Sequence, residues 1–156
     1  MRSDLVAYVW SRLKVAGVSP RLARNRSKKE CRCVLERAAF KPTSFLFGAF
    51  DDETMVGMAG GYIDDLMKRS HIGYLVSVWV EQDYRGQGLA TQLCQRVVDQ
   101  FRATPDISVV QLSVTVGNDD ALHIYQQMGF KQWGREPKSI SHNGALYDEY
   151  HLALEL

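Results

Sequence analysis

Two glycines, an arginine and three glutamines crowd into "EQDYRGQGLATQL" (81–93), at the junction between an apolar run and an amphipathic one. A strand that turns sharply into a helix exposes the helix's first unpaired N–H groups, and their partial positive charge favours an anion such as a pyrophosphate. Gly86 and Gly88 would free the turn and let an anion approach without a Cβ in the way. Arg85 adds a cation, and the N–H groups of Arg85, Gly86, Gln87, Gly88, Leu89, Ala90 and Thr91 can converge as a nest. The stretch is not a Walker loop, since no Lys-Ser or Lys-Thr pair follows the second glycine. A dinucleotide fingerprint would need a glycine where Thr91 stands.

A second chemistry-bearing stretch is "NDDALHIYQQMGF" (118–130). Asn118 falls at a helix cap, Asp119 and Asp120 in the positive first turn, and Gly129 where a left-handed stop belongs. Tyr125 carries the phenol of this segment. The four histidines are scattered without a ligand spacing, and Cys31 and Cys33 lack a second pair at zinc-finger distance, so no metal is expected. The three cysteines read as reduced structural thiols.

These residues need elements to hold them. The stretches "DLVAYVWSRLKVAGV" (4–18) and "SKKECRCVLERAAF" (27–40, ending before Pro42) read as helices. "FLFGAF" (45–50) and "MVGMAGGYI" (55–63) form a predicted hairpin, followed by a strand at "IGYLVSVWV" (72–80). Leu89, Leu93, Val97 and Phe101 recur every four residues on one face of a helix ending before Pro105. "VVQLSVTV" (109–116) alternates as a strand, then comes the helix after Asn118. Strands at "FKQWG" (130–134) and "ALYDEYHLALEL" (145–156) close the chain across a tight turn at Asn143 and Gly144. The order predicts an α/β (α+β) fold with a mixed sheet.

At 156 residues, with 46% apolar and 24% charged, the chain is sized for one globular domain over 1–156. A net charge of +1, from 19 basic and 18 acidic residues, offers no global field for nucleic acid. The basic run "RLARNRSKK" (21–29) reads as a solvated face. No apolar run reaches the ~20 residues of a bilayer span and the N-terminus lacks a signal-type segment, which predicts a cytoplasmic protein away from membranes.

"VWVEQDYRGQGLA" resembles the central motif of the GNAT superfamily of N-acetyltransferases, Q/RxxGxG/A, with Arg85, Gly88 and Ala90 in its defining places. "NDDALHIYQQMGF" is similar to that family's second motif, with Asn118, Tyr125, Gly129 and Phe130 in position. The resemblance covers about 45–156. It implies a mostly antiparallel sheet flanked by helices, whose central strands splay to form an acyl-CoA cleft. It also implies acetyl-CoA as cosubstrate, with pyrophosphate on the 85–91 backbone. The pantetheine arm would pair like an added strand with Val78, Trp79 and Val80, and Asn118 would orient it. Tyr125 is the implied general acid, and an N–H of Val80 or Trp79 the implied oxyanion donor. The acceptor is a primary amine on a small molecule, peptide or protein, with no nucleic acid or membrane partner; a homodimer is compatible.

Two departures stand out. Some members carry a Glu five residues before the motif Asn, where this chain has Ser113; Glu81, Glu136, Asp148 and Glu149 are other acids in reach, none assigned as base. Residues 1–44, which usually help form the acceptor pocket, do not read as the family's opening strand. A non-catalytic acyl-CoA-binding module is the alternative, with the cradle kept and the chemistry lost.

Overall fold

The computed structural model describes residues 34–41, 43–51 and 54–156. Strands β1 (Val34–Lys41), β2 (Ser44–Asp51), β3 (Thr54–Ile63) and β4 (Ile72–Val80) follow one another as antiparallel neighbours. Helix α1 (Leu89–Arg102) leads to β5 (Val109–Thr115), and helix α2 (Asp119–Gln127) to the hairpin of β6 (Lys131–His142) and β7 (Ala145–Glu155). Among the described residues seven strands join one sheet in the order β1-β2-β3-β4-β5-β7-β6, in which β4 and β5 pair in parallel and the other neighbours antiparallel.

The expected helix over 27–40 is corrected: 34–41 is a strand, aligned from Val34 opposite Phe50 to Lys41 opposite Ser44. Leu, Glu, Arg and Ala favour helix locally, but the free edge of β2 offers a backbone ladder, and tertiary pairing outweighs propensities of a few tenths of a kcal/mol. Residues 27–33 and the expected helix over 4–18 lie outside the described residues. β6 also runs beyond the expected 130–134, because Pro137 falls in an irregularity between Glu136 and Ile140 on an edge strand, where a missing N–H is tolerated. The other elements stand where periodicity put them.

One face of the sheet is sealed by α1, which buries Leu89, Leu93, Cys94, Val97, Val98 and Phe101 against Val56, Leu75, Val110, Leu112 and Leu152. The Phe101 ring sits so close to the sheet that a Cβ on Gly61 or Gly73 would lie within 2.8 Å of it. Those two glycines let the helix settle where β4 and β5 pair. The opposite face carries a smaller cluster of Leu46, Met55 and Met58, with Phe50 and Trp79 against it.

The parallel β4–β5 pairing is short. It runs through Ile72, Gly73 and Tyr74 opposite Val109, Val110 and Gln111, and stops. Beyond it β4 is paired to β3 alone and carries a bulge, with Ser77 in the left-handed region at φ 56. A bulge kinks and twists its strand, and here it turns the rest of β4 away from β5. The two strands thus form a V that opens toward their C-terminal ends, from which the chain enters α1 and α2.

Candidate active site

At the mouth of the V, residues 82–84 make one 3-10 turn capped by Glu81, whose side chain accepts from the Gln82 N–H at 2.8 Å. The Tyr84 hydroxyl donates to Asp51 at 2.5 Å, tying the turn to β2. Gly86 (φ 72) and Gly88 (φ 73) then adopt left-handed conformations, and a Cβ on either would find nothing within 4 Å. A turn with left-handed glycines facing open space is the shape an approaching anion requires. Gly88 caps α1 without a side-chain bond, and the first N–H taken up by the helix is that of Gln92, to the Gly88 carbonyl at 3.1 Å. The N–H groups of Leu89, Ala90 and Thr91 therefore point out of the helix end.

Two features of this nest differ from expectation. The Arg85 N–H is spent on the Gln82 carbonyl (3.2 Å), so the open donors begin at Gly86. The Arg85 side chain folds back, its Nε donating to the Val80 carbonyl at 3.0 Å, and thereby braces the loop as well as charging it. Gln87 is exposed, and its amide lies 3.5 Å from the Asp83 carbonyl. Leu89 is buried in the core, so only its backbone can serve a ligand.

On β4 the Glu81 N–H bonds the Val56 carbonyl of β3 at 2.8 Å. Alternation then sets the peptide groups of Val80 on the edge that β5 has left. Trp79 turns its backbone toward β3 and its ring into the far-face cluster. Between the two expected oxyanion donors, the edge position favours Val80.

Asn118 occupies the α2 cap position, but its side chain makes no capping bond and is exposed. Tyr125, on α2, is only 7% exposed and meets Phe130 edge-on at 6.1 Å. Burial, with the Cys94 thiol second, pushes its phenol well above the ordinary range, so it stays protonated at neutral pH. Its hydroxyl has no partner among the described residues, although no fully buried side-chain polar atom there lacks one, so the hydroxyl keeps access to solvent.

A cavity of about 340 Å³ lies where the V begins, lined by β4 (Tyr74, Leu75, Val76, Ser77) and β5 (Gln111, Leu112, Ser113), with Tyr62, Trp133 and His151 around it. Tyr62 and Tyr74 stack at 4.8 Å, and the Arg69 guanidinium donates to the Tyr74 hydroxyl. The acids sort themselves here. Asp148 is held by Arg135 at 2.6 Å, its carboxyl lowered by the Lys138 backbone N–H and then by Arg135. Glu149 accepts from Ser113 at 3.1 Å and Ser139 at 2.7 Å. Glu136 lies 2.9 Å from His151 Nε2. Ser113 thus meets a carboxylate from β7. Sequence spacing conceals this, because Glu149 is 36 residues away. His151, which lines the cavity, stands in the sequence as a lone polar residue on an alternating strand.

The description "Acetyltransferase (GNAT) family" matches this chain over residues 16–130. The chain belongs to the GNAT family. It is 31% identical to the N-alpha-acetyltransferase RimI of Mycobacterium tuberculosis over 110 residues, 70% of this chain and 66% of that one. It is 25% identical to the L-amino acid N-acetyltransferase AaaT of Escherichia coli over 118 residues, 76% and 72% of the two chains. Against the N-alpha-acetyltransferase 30 of Schizosaccharomyces pombe it is 30% identical over 91 residues, 58% of this chain and 60% of the relative, so it spans less than two thirds of that relative's length. The fold matches that of Arabidopsis thaliana NAA60 in complex with acetyl-CoA, at a TM-score of 0.67 and 20% identity over 74% of this chain and 78% of that one. Among the described residues no helix is long and apolar enough to cross a membrane, and no group of His, Cys, Asp or Glu is arranged to hold a metal.

Proposed function

We propose that this GNAT chain transfers the acetyl group of acetyl-CoA to the primary α-amine of an amino acid or a polypeptide N-terminus, by direct attack with both substrates bound. The observation that carries the reading is the open donor nest of residues 86–91 at the mouth of a V whose free edge belongs to β4. The fit to CoA rests on the two glycines, where any Cβ would occupy the space an anion needs. The names of the relatives, an L-amino acid N-acetyltransferase and N-alpha-acetyltransferases, support the α-amine.

Bound acetyl-CoA supplies an activated thioester; the chain's residues do the rest. The N–H groups at the head of α1, with Arg85 nearby, hold the pyrophosphate. The edge of β4 that β5 has left receives the pantetheine amides as a neighbouring strand would, and the Val80 N–H stabilises the carbonyl oxygen as charge builds on it, the Val80 carbonyl being held by Arg85. Tyr125, kept protonated by burial, gives its proton to the departing sulfur. Asn118, free of a capping bond, is available to the cofactor.

The test is release of free CoA thiol in the presence of a panel of amino acids, dipeptides and diamines, beside calorimetric binding of CoA. Turnover with α-amines is expected. Tight CoA binding with no turnover on any acceptor would instead identify an acyl-CoA-binding module, as the Ser113 position allows.

A further inference from the structure

Acetyl transfer to an amine needs a group that takes the proton of the ammonium form, and the position expected for a carboxylate holds Ser113. We propose that His151 is that proton acceptor, oriented by Glu136, and that it takes over from β7 the role left vacant on β5. The assignment rests on the acetyltransferase reading above.

Three observations carry it. His151 lines the cavity at the apex of the V and lies on β7 directly opposite Ser113 of β5. Glu136 on β6 sits 2.9 Å from Nε2. A carboxylate there draws the ring proton to Nε2, which leaves the Nδ1 lone pair as the basic site, with no partner among the described residues. The Trp133 ring packs on the imidazole at 5.3 Å, fixing its plane. Glu149 is a poorer candidate. Both of its oxygens already accept hydroxyl protons, from Ser113 and Ser139, and it does not line the cavity. Glu149 instead anchors Ser113, keeping the wall in front of His151 in place.

The step balances. Nδ1 of His151 takes one proton from R–NH3+, and the freed lone pair of nitrogen forms the C–N bond as the C–S bond breaks. Tyr125 protonates the sulfur and is reprotonated at the expense of the second nitrogen proton. His151 returns its proton to solvent, so one proton is released per acetyl group moved. The titratable or charged groups on the surrounding elements are Glu136 and Lys131 on β6, Glu149 on its own strand, Tyr74 on β4 and Tyr62 on β3. β5 contributes only Gln111 and Ser113, which do not titrate in the working range.

The experiment compares pH profiles of kcat/KM for the wild type, His151→Gln and Glu136→Gln with one accepted α-amine, beside CoA affinity and thermal melting. For His151→Gln, kcat/KM at pH 7 is expected to fall about 10²-fold. The deficit should close above pH ~8, where an α-amine loses its proton to water unaided, with CoA affinity unchanged. Glu136→Gln removes the carboxylate that fixes the tautomer with Nδ1 basic, so kcat/KM should fall at pH 7 by a smaller factor and recover above pH ~8, while CoA affinity and the melting point hold. A His151→Gln deficit that stays constant from pH 6.5 to 9.5, or a Glu136→Gln protein with wild-type kcat/KM at pH 7, overturns the assignment while leaving acetyl transfer intact. A wild type that binds CoA but acetylates nothing overturns acetyl transfer and, with it, the base.

Discussion

Replacing Gly88 by leucine separates a cradle from a turn. At φ 73 a side chain is strained, but a Cβ there meets no atom within 4 Å, so the stability cost is conformational only. That cost is about 1–2 kcal/mol for a left-handed non-glycine residue, or roughly 2–8 °C in melting temperature for a domain of this size. Binding should suffer far more. The new side chain fills the space in front of the Leu89, Ala90 and Thr91 N–H groups, and a hydrogen bond to a charged partner contributes about 1.5–3 kcal/mol. Losing two of them weakens CoA by about 3–6 kcal/mol, roughly 10²–10⁴-fold in Kd. Gly144→Leu is the matched control: φ 77, nothing within 4 Å, and placed in the β6–β7 turn. Titration calorimetry with CoA and thermal melts on both variants decide the matter. Equal melting losses with CoA binding lost only in Gly88→Leu are expected; a folded Gly88→Leu protein with wild-type affinity would refute the anion cradle.

Tyr125→Phe should melt within a few degrees of the wild type and bind CoA normally, yet lose about 10²-fold in kcat, because only the proton donor is gone; steady-state thiol release checks it. Phe101→Ala, at a fully buried ring, should cost about 3–5 kcal/mol in urea unfolding. Gly73→Ala, whose Cβ would lie 2.6 Å from that ring, should be destabilising in the wild type and better tolerated beside Phe101→Leu. The Cys94 thiol is pushed by burial from 9.0 up to about 12. The unfolded chain therefore releases this proton first. The thiol's contribution is complete below about pH 9 and declines as pH rises toward 12, at up to ~1.4 kcal/mol per pH unit. Unfolding free energies at pH 8 and pH 11 should diverge less in Cys94→Ala than in the wild type, and an unchanged slope would contradict the burial.

The elements that seal the core were legible because their periodicity and their burial are the same fact. Leu89, Leu93, Val97 and Phe101 recur every four residues and face the sheet, and Val110, Leu112 and Val114 alternate and do likewise. The strand at 34–41 was not legible, since its residues favour helix locally and only the edge of β2 decides otherwise. The glycine turn was readable for a different reason. A backbone conformation leaves its trace in the residues that permit it, and Gly86 and Gly88 both adopt the left-handed region.

Side chains that meet across strands leave no such trace, and the polar pairs around the cavity are built that way. Ser113 meets Glu149 across 36 residues and His151 meets Glu136 across 15. A bulge at Ser77 decides which β4 peptides face the cleft. Each depends on register, and a one-residue slip would move every one of these groups to the other face. The same register explains how a missing acid at Ser113 can be made good. On a sheet face, neighbouring strands bring different residues to nearly one point, so a carboxylate or an imidazole supplied from β7 can serve the place a β5 residue would have served. A residue missing from one strand therefore does not by itself remove a chemistry from the site, because the strands beside it present side chains to the same face.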